Sequence, residues 1–459
     1  MKLSTLLECI ALVAAAHAAT FKMPIISLAH ERSPSLSKAR VAAMIEAGES
    51  RARRELSIKE QNTRRHRSSQ PTGSGPIGVV ENDGKYMDFI KASSTLQPPP
   101  IEPENSKRAL PLWYWEELTY TTPIRIGTPP QPLNLLLSLS SPSLFIPSST
   151  CTTCLSTNSY IATNSSTHIR HNAAFTSSSH LFRSRGNLCH DTIHLSSNPT
   201  TTIETQIFGE MEEMERYLPW SEESWDGALG LAPGSGSEMG VLNNLMNRGL
   251  LDRNAFSLKL PRGIGERGEI LFGGVDHDLY VGNLKSLQLV EEEKGRWAIA
   301  ATRLSVNDGE GLVFELGGGK AVFETDFPFI GLPEKYVRIL DEKLGMNNAG
   351  KGWNWVRSVD CSRRKLMQNI TIGLGGEEFV VSPWEYTVEA DMGDLGGGRR
   401  CVSAFVPNED EGMDIVLGSV FLRAFYGVFD LDRRTVSLAR ATSQKIQKSK
   451  VDWEEDELR

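Results

Sequence analysis

From Tyr120 to Ala441 short apolar runs alternate with clusters of Gly, Pro, Ser and Asn, and an apolar stripe at helical spacing is rare. Runs bounded in this way by turn formers at intervals of about ten residues suit pleated strands, so the pattern predicts a mainly β protein. Two stretches read differently. Val241, Leu242, Leu245 and Met246 form one apolar face and Gly249 follows as a stop, which predicts a helix over 240–250; a second is expected over 333–344. A weak internal repeat runs through the β pattern. The strand ending at Ser138 is followed 92 residues later by Gly230 in Ala228-Leu229-Gly230-Leu231. In the second half, Ala321-Val322-Phe323-Glu324 is followed 94 residues later by Gly418 in Val416-Leu417-Gly418-Ser419. Two similar β lobes would produce such a repeat.

The first hundred residues depart from this pattern. Met1 and Lys2 precede an apolar run from Leu3 to Ala16 and an Ala16-His17-Ala18 cleavage pattern, so residues 1–19 are expected to be a signal peptide. No later run is long enough to cross a bilayer, and the polar tail 442–459 carries no lipid-anchor signal. A secreted, extracellular product without a membrane anchor follows as the expectation. With 459 residues, 39% of them hydrophobic and 23% charged, the chain has material for two or three cored domains.

Charge divides the chain as well. Residues 20–108 hold 15 Lys and Arg against 10 Asp and Glu, whereas the chain from 109 onward holds 33 against 46, a net of −13. A basic prosegment docking on an acidic body fits that division, and an acidic body argues against nucleic acid, whose phosphates need Lys and Arg. Lys107-Arg108 ends the basic region as a dibasic processing pair would, just after the proline-rich stretch 98–105, which implies a processing protease as a partner.

Several ordered motifs resemble those of the pepsin-like aspartic proteases, as in a secreted member of fungal type with both catalytic aspartates replaced. Ile124-Arg125-Ile126-Gly127-Thr128-Pro129-Pro130-Gln131 resembles the opening strand and turn, and the run from Leu135 to Ser148 resembles the first active-site strand and loop. Trp225-Asp226-Gly227-Ala228-Leu229-Gly230, Gly268-Glu269-Ile270-Leu271-Phe272-Gly273-Gly274 and Ile415-Val416-Leu417-Gly418-Ser419 are similar to later landmarks in the same order. The resemblance implies a bilobal β fold with a cleft between homologous lobes, spanning 109–298, with the inter-lobe strands, and 299–441. It implies no cofactor and no metal, and a monomer.

In that family two carboxylates in the cleft divide the acid and base roles in peptide hydrolysis. Here the resemblance puts Ser138 and Glu324 at those positions, with Leu139, Ser140, Thr325 and Asp326 beside them. A hydroxyl cannot take up the proton, and an added methylene displaces the remaining carboxyl. Leu139 stands in place of a threonine, and Ser140 and Asp326 in place of glycines. A two-residue slip would bring Asp326 to the site, but from Leu118 to His190 there is no Asp or Glu, so no slip supplies the first lobe with a carboxylate. The flap tyrosine position falls at Ser179, with His180 beside it. Ser138 with His180 does not read as a serine hydrolase pair, because no nucleophile-elbow pattern surrounds Ser138.

Outside the signal segment there are five cysteines, an odd number. The resemblance pairs Cys361 with Cys401 in the second lobe. Cys151 and Cys154 sit where the family has a small first-lobe loop, and either of them bonding Cys189 is an alternative to their bonding each other. Asn164 and Asn369 head glycosylation sequons. The function expected is a pepsin-fold protein without proteolytic activity that binds peptide or protein in its cleft. The alternative is an acid endopeptidase that uses Glu324 or Asp326.

Overall fold

The computed structural model describes residues 21–27 and 120–442, apart from 155, 157, 179–181, 196–200, 217–224, 235–239, 263–265, 267, 308–310, 349–356, 392–398 and 409–414. Strands dominate, as the hydrophobic pattern predicts. The first lobe is built from β1 (Phe21–Ser27), β2 (Tyr120–Ile126), β3 (Gln131–Ser138), β4 (Leu144–Pro147), β5 (Ile169–Ser178), β6 (Phe182–His194), β7 (Thr202–Arg216) and β8 (Ala228–Gly230). Connecting strands β9 (Ala255–Lys259), β10 (Gly268–Phe272) and β11 (Tyr280–Gln288) lead to β12 (Ala298–Asn307), β13 (Val313–Phe323) and β14 (Ile330–Leu332) of the second lobe.

A 13-stranded sheet runs from β5 through β6, β7, β4, β8, β3, β2, β1, β10 and β9 to the last two strands of the described residues, Phe425–Asp430 and Thr435–Ala441, and ends at β11. A seven-stranded sheet carries β12 and β13, with the strand Ile415–Leu417 between β13 and β14. The two expected helices are present as α1 (Val241–Asn247) and α2 (Glu334–Lys343), with Val241, Leu242 and Leu245 of α1 facing inward. Both are shorter than the periodicity suggests because Gly240 and Pro333 are N-caps and Arg248 and Leu344 are C-caps instead of helical residues.

Rings weld the sheets together. Phe256 stacks on Phe429 at 4.9 Å, and Trp297 meets them edge-on at 5.9 and 5.1 Å, all three fully buried. The indole N–H of Trp297 donates to the carbonyl of Leu231 at 2.9 Å, so its polar end is satisfied although the ring is buried.

β1 lies in the stretch assigned above to the prosegment, and its attachment is not only electrostatic. It pairs antiparallel with β10 from Phe21↔Phe272 to Ile25↔Gly268, and with β2 at Ile26↔Thr121 and Ser27↔Tyr120. Met23 is buried in the main core. The signal segment, the rest of the basic stretch and Lys107-Arg108 lie outside the described residues.

Disulfides join Cys361 to Cys401 and Cys151 to Cys154. The alternative pairing of Cys189 with either first-lobe cysteine is thereby overturned: Cys189 is a buried free thiol on β6. Its thiol donates to Glu210 Oε2 of β7 at 3.1 Å. Asn164 and Asn369 are both exposed.

Candidate active site

The internal repeat becomes a structural match at the site. β3 runs parallel to β8 with Ser138 opposite Gly230, and β13 runs parallel to Ile415–Leu417 with Phe323 opposite Leu417, which places Glu324 level with Gly418. In each lobe the loop after the site residue crosses back over that glycine. The Gly230 N–H donates to the carbonyl of Ser143, five residues after Ser138, and the Gly418 N–H to that of Phe329, five residues after Glu324. A Cβ at Gly230 would lie 2.4 Å from the backbone of Pro142 and Ser143, and one at Gly418 2.1 Å from the Phe327 carbonyl oxygen. Only glycine permits that approach. Ser138 and Glu324 are therefore counterparts, and Asp326 is the counterpart of Ser140.

The two loops touch. The Leu139 N–H donates to Thr325 Oγ1 at 3.1 Å, and the same hydroxyl donates to the Leu137 carbonyl at 2.7 Å. Leu139, the counterpart of Thr325, is buried and has no hydroxyl with which to return those bonds. Only one half of a reciprocal clamp is made. A second bridge compensates in part: the Ser140 hydroxyl donates to Asp326 Oδ2 at 2.6 Å.

With its one proton directed at Asp326, Ser140 is left to accept from Ser138, whose Oγ lies 3.1 Å away. Ser138 in turn accepts from the Ser141 N–H at 3.2 Å. The Ser138 hydroxyl therefore belongs to a chain of hydrogen bonds that ends on Asp326. Glu324, 2% exposed, forms an ion pair with Arg296 at 3.1 Å. Nothing in the sequence marks Arg296 for this role, since the turn before Trp297 that brings it back across 28 residues is tertiary.

Around these loops, buried polar groups tie the first lobe together. Asp226 accepts from the backbone N–H groups of Asn134 and Asn158 at 2.9 and 2.7 Å. Phe145 is 1% exposed and packs against Phe175, so it belongs to the core; Phe329 is half-buried. β5 and β6 form a hairpin whose tip, with Ser179 and His180, lies outside the described residues.

The family model of the eukaryotic aspartyl proteases matches residues 119–441. This chain belongs to that family. Among the aspartyl proteases it is similar to vacuolar protease A of Neurospora crassa, 29% identical over 346 residues that cover 72% of this chain and 81% of the relative. Cathepsin D of Bos taurus is 28% identical over 398 residues, covering 82% of this chain and 96% of the relative. A probable vacuolar protease A of Arthroderma benhamiae is 27% identical over 352 residues, covering 74% and 83% respectively. No helix among the described residues is long and apolar enough to cross a membrane.

Proposed function

We propose that this aspartyl protease homologue does not hydrolyse peptides and that its cleft holds an extended peptide or a segment of another protein. The observation that carries the reading is the pair of matched positions, occupied by Ser138 and Glu324. Hydrolysis by this fold needs one group to take a proton from water while another gives one to the carbonyl oxygen, with the two acids held at different pKa values. Ser138 supplies neither role, and Glu324 is engaged by a cation instead of sharing a proton with a second carboxylate. A cleft without the acid pair can still hold an extended segment by backbone pairing and side-chain pockets.

On this reading the chain is secreted, cut at Lys107-Arg108 by another protease, and glycosylated at the exposed Asn164 and Asn369. The test is hydrolysis of unfolded protein between about pH 3 and 6 by the processed protein, with and without a pepsin-type inhibitor. No inhibitor-sensitive turnover is expected, while a labelled peptide library retains saturable binding. Turnover that vanishes in Glu324→Gln overturns the proposal.

A second reading, an acid endopeptidase with an atypical site, draws on Asp326, which stands 2.6 Å from Ser140 and gives the site two carboxyl groups with Glu324. The relatives' names as proteases point the same way. Turnover that is lost in Asp326→Asn as well as in Glu324→Gln selects this reading.

A further inference from the structure

Away from the cleft, the first-lobe sheet brings three different donor types to one point. Cys189 on β6 pairs with Phe208 of β7, which makes Glu210, two residues on, its diagonal neighbour. On its other side Cys189 pairs with Arg170 of β5, and His168 stands two residues before that arginine. The imidazole, thiol and carboxylate ligand atoms all lie within 4.8 Å of one another. Cys189 Sγ is 3.1 Å and His168 Nε2 3.5 Å from the same oxygen, Glu210 Oε2.

Hydrogen bonding leaves this cluster incomplete. His168 Nε2 is a buried atom without a hydrogen-bond partner, although it faces a carboxylate. Glu210 itself is held in place, because the Ser148 hydroxyl donates to Oε1 at 2.7 Å and leaves Oε2 turned toward the thiol and the imidazole. A tetrahedral zinc ion bound by N, O and S at about 2.0–2.3 Å sets its donors roughly 3.3–3.6 Å apart, close to the 3.1 and 3.5 Å at which the thiol and the imidazole stand from Glu210 Oε2. A thiolate and a carboxylate also cancel the charge of a divalent ion, which a buried site requires.

We propose that His168, Cys189 and Glu210 form a binding site for a divalent, borderline-soft cation of the zinc class. The His168 imidazole binds as the neutral base and Glu210 as the carboxylate. Cys189 loses its thiol proton to solvent as the sulfur–metal bond forms. Water completes the coordination from the side of His168, whose side chain is 14% exposed. Ser148 orients the carboxylate from behind, as outer partners do in metal sites. The site pins the start of β5 to β6 and β7, a structural role distinct from peptide binding. The sequence offers no metal spacing for it, since the donors come from β6, β7 and the residue just before β5, and the Cys151-x-x-Cys154 pair is a disulfide.

The experiment uses the processed protein, stripped with a chelator and titrated with cobalt(II) and then zinc(II). One equivalent of cobalt is expected to produce a near-ultraviolet thiolate-to-cobalt band that zinc bleaches, and zinc should raise the melting temperature. Cys189→Ser should abolish the band and the zinc-induced shift, and His168→Gln should weaken binding at least about tenfold. A folded wild-type protein without the band overturns the proposal. So does a band that persists in Cys189→Ser, or wild-type affinity in His168→Gln. If Cys189→Ser does not fold, the wild-type spectrum and His168→Gln still decide the matter.

Discussion

Thr325 makes both hydrogen bonds of the half-clamp between the two loops, accepting from Leu139 and donating to Leu137. Thr325→Val keeps the volume and strands a buried N–H and a buried carbonyl, so a loss of about 1–3 kcal/mol is expected in urea denaturation. A Val variant as stable as the parent would show that the contact is incidental. The Arg296–Glu324 pair makes a sharper prediction. Removing the guanidinium from a carboxylate only 2% exposed should cost roughly 3 kcal/mol in Arg296→Met, and Glu324→Gln made in that background should recover much of it. Failure of the second change to rescue the first would mean that Glu324 does not depend on Arg296.

At the scale of elements, α2 buries a carboxyl group along with its apolar stripe. Val337 and Leu340 face the core as the periodicity requires, but Asp341 is also 3% exposed and accepts from the Ser403 hydroxyl at 2.8 Å. Burial pushes the Asp341 carboxyl up from 3.8 to about 6, against the smaller opposing effects of the Ser403 hydrogen bond and of Arg357. The folded protein then holds more protons than the unfolded chain between those values. Stability from this group is complete below about pH 4 and lost as the pH rises through 6. Asp341→Asn keeps an acceptor for Ser403, and at neutral pH it should stabilise by at most about 3 kcal/mol. Its melting temperature should be flatter than the parent's between about pH 4 and 6. Parallel pH profiles for parent and variant would count against this account.

At the scale of the whole molecule, β1 joins the N-terminal stretch to the sheet that spans both lobes. It lies between β10 and β2, with Met23 in the core. A cut after Arg108 is therefore expected to leave the N-terminal fragment bound: the two pieces should co-elute in native buffer and separate in urea. Separation in native buffer would show that β1 is held only weakly. If the chain is inactive as proposed, the Lys107→Ala, Arg108→Ala variant should stay uncut after acid treatment. Maturation of that purified variant in acid would mean that the chain cleaves itself.

Much of this was legible along the chain. Strand periodicity, the α1 stripe and the repeat between Ser138 with Gly230 and Glu324 with Gly418 are local patterns, and local patterns follow from which side chains must leave water and which backbone must pass close to another. The absence of any acid from Leu118 to His190 is likewise a property of composition, which no folding can alter. The tertiary structure settled what depends on contacts between distant strands. It paired Cys151 with Cys154 and left Cys189 against Glu210, hydrogen-bonded Ser140 to Asp326, and brought Arg296 to Glu324. It also drew Met23 into a sheet it shares with β10, some 245 residues further along the chain. Those are choices of register and strand order, and residue spacing carries no record of them because each is decided by which partner completes a buried polar or apolar surface.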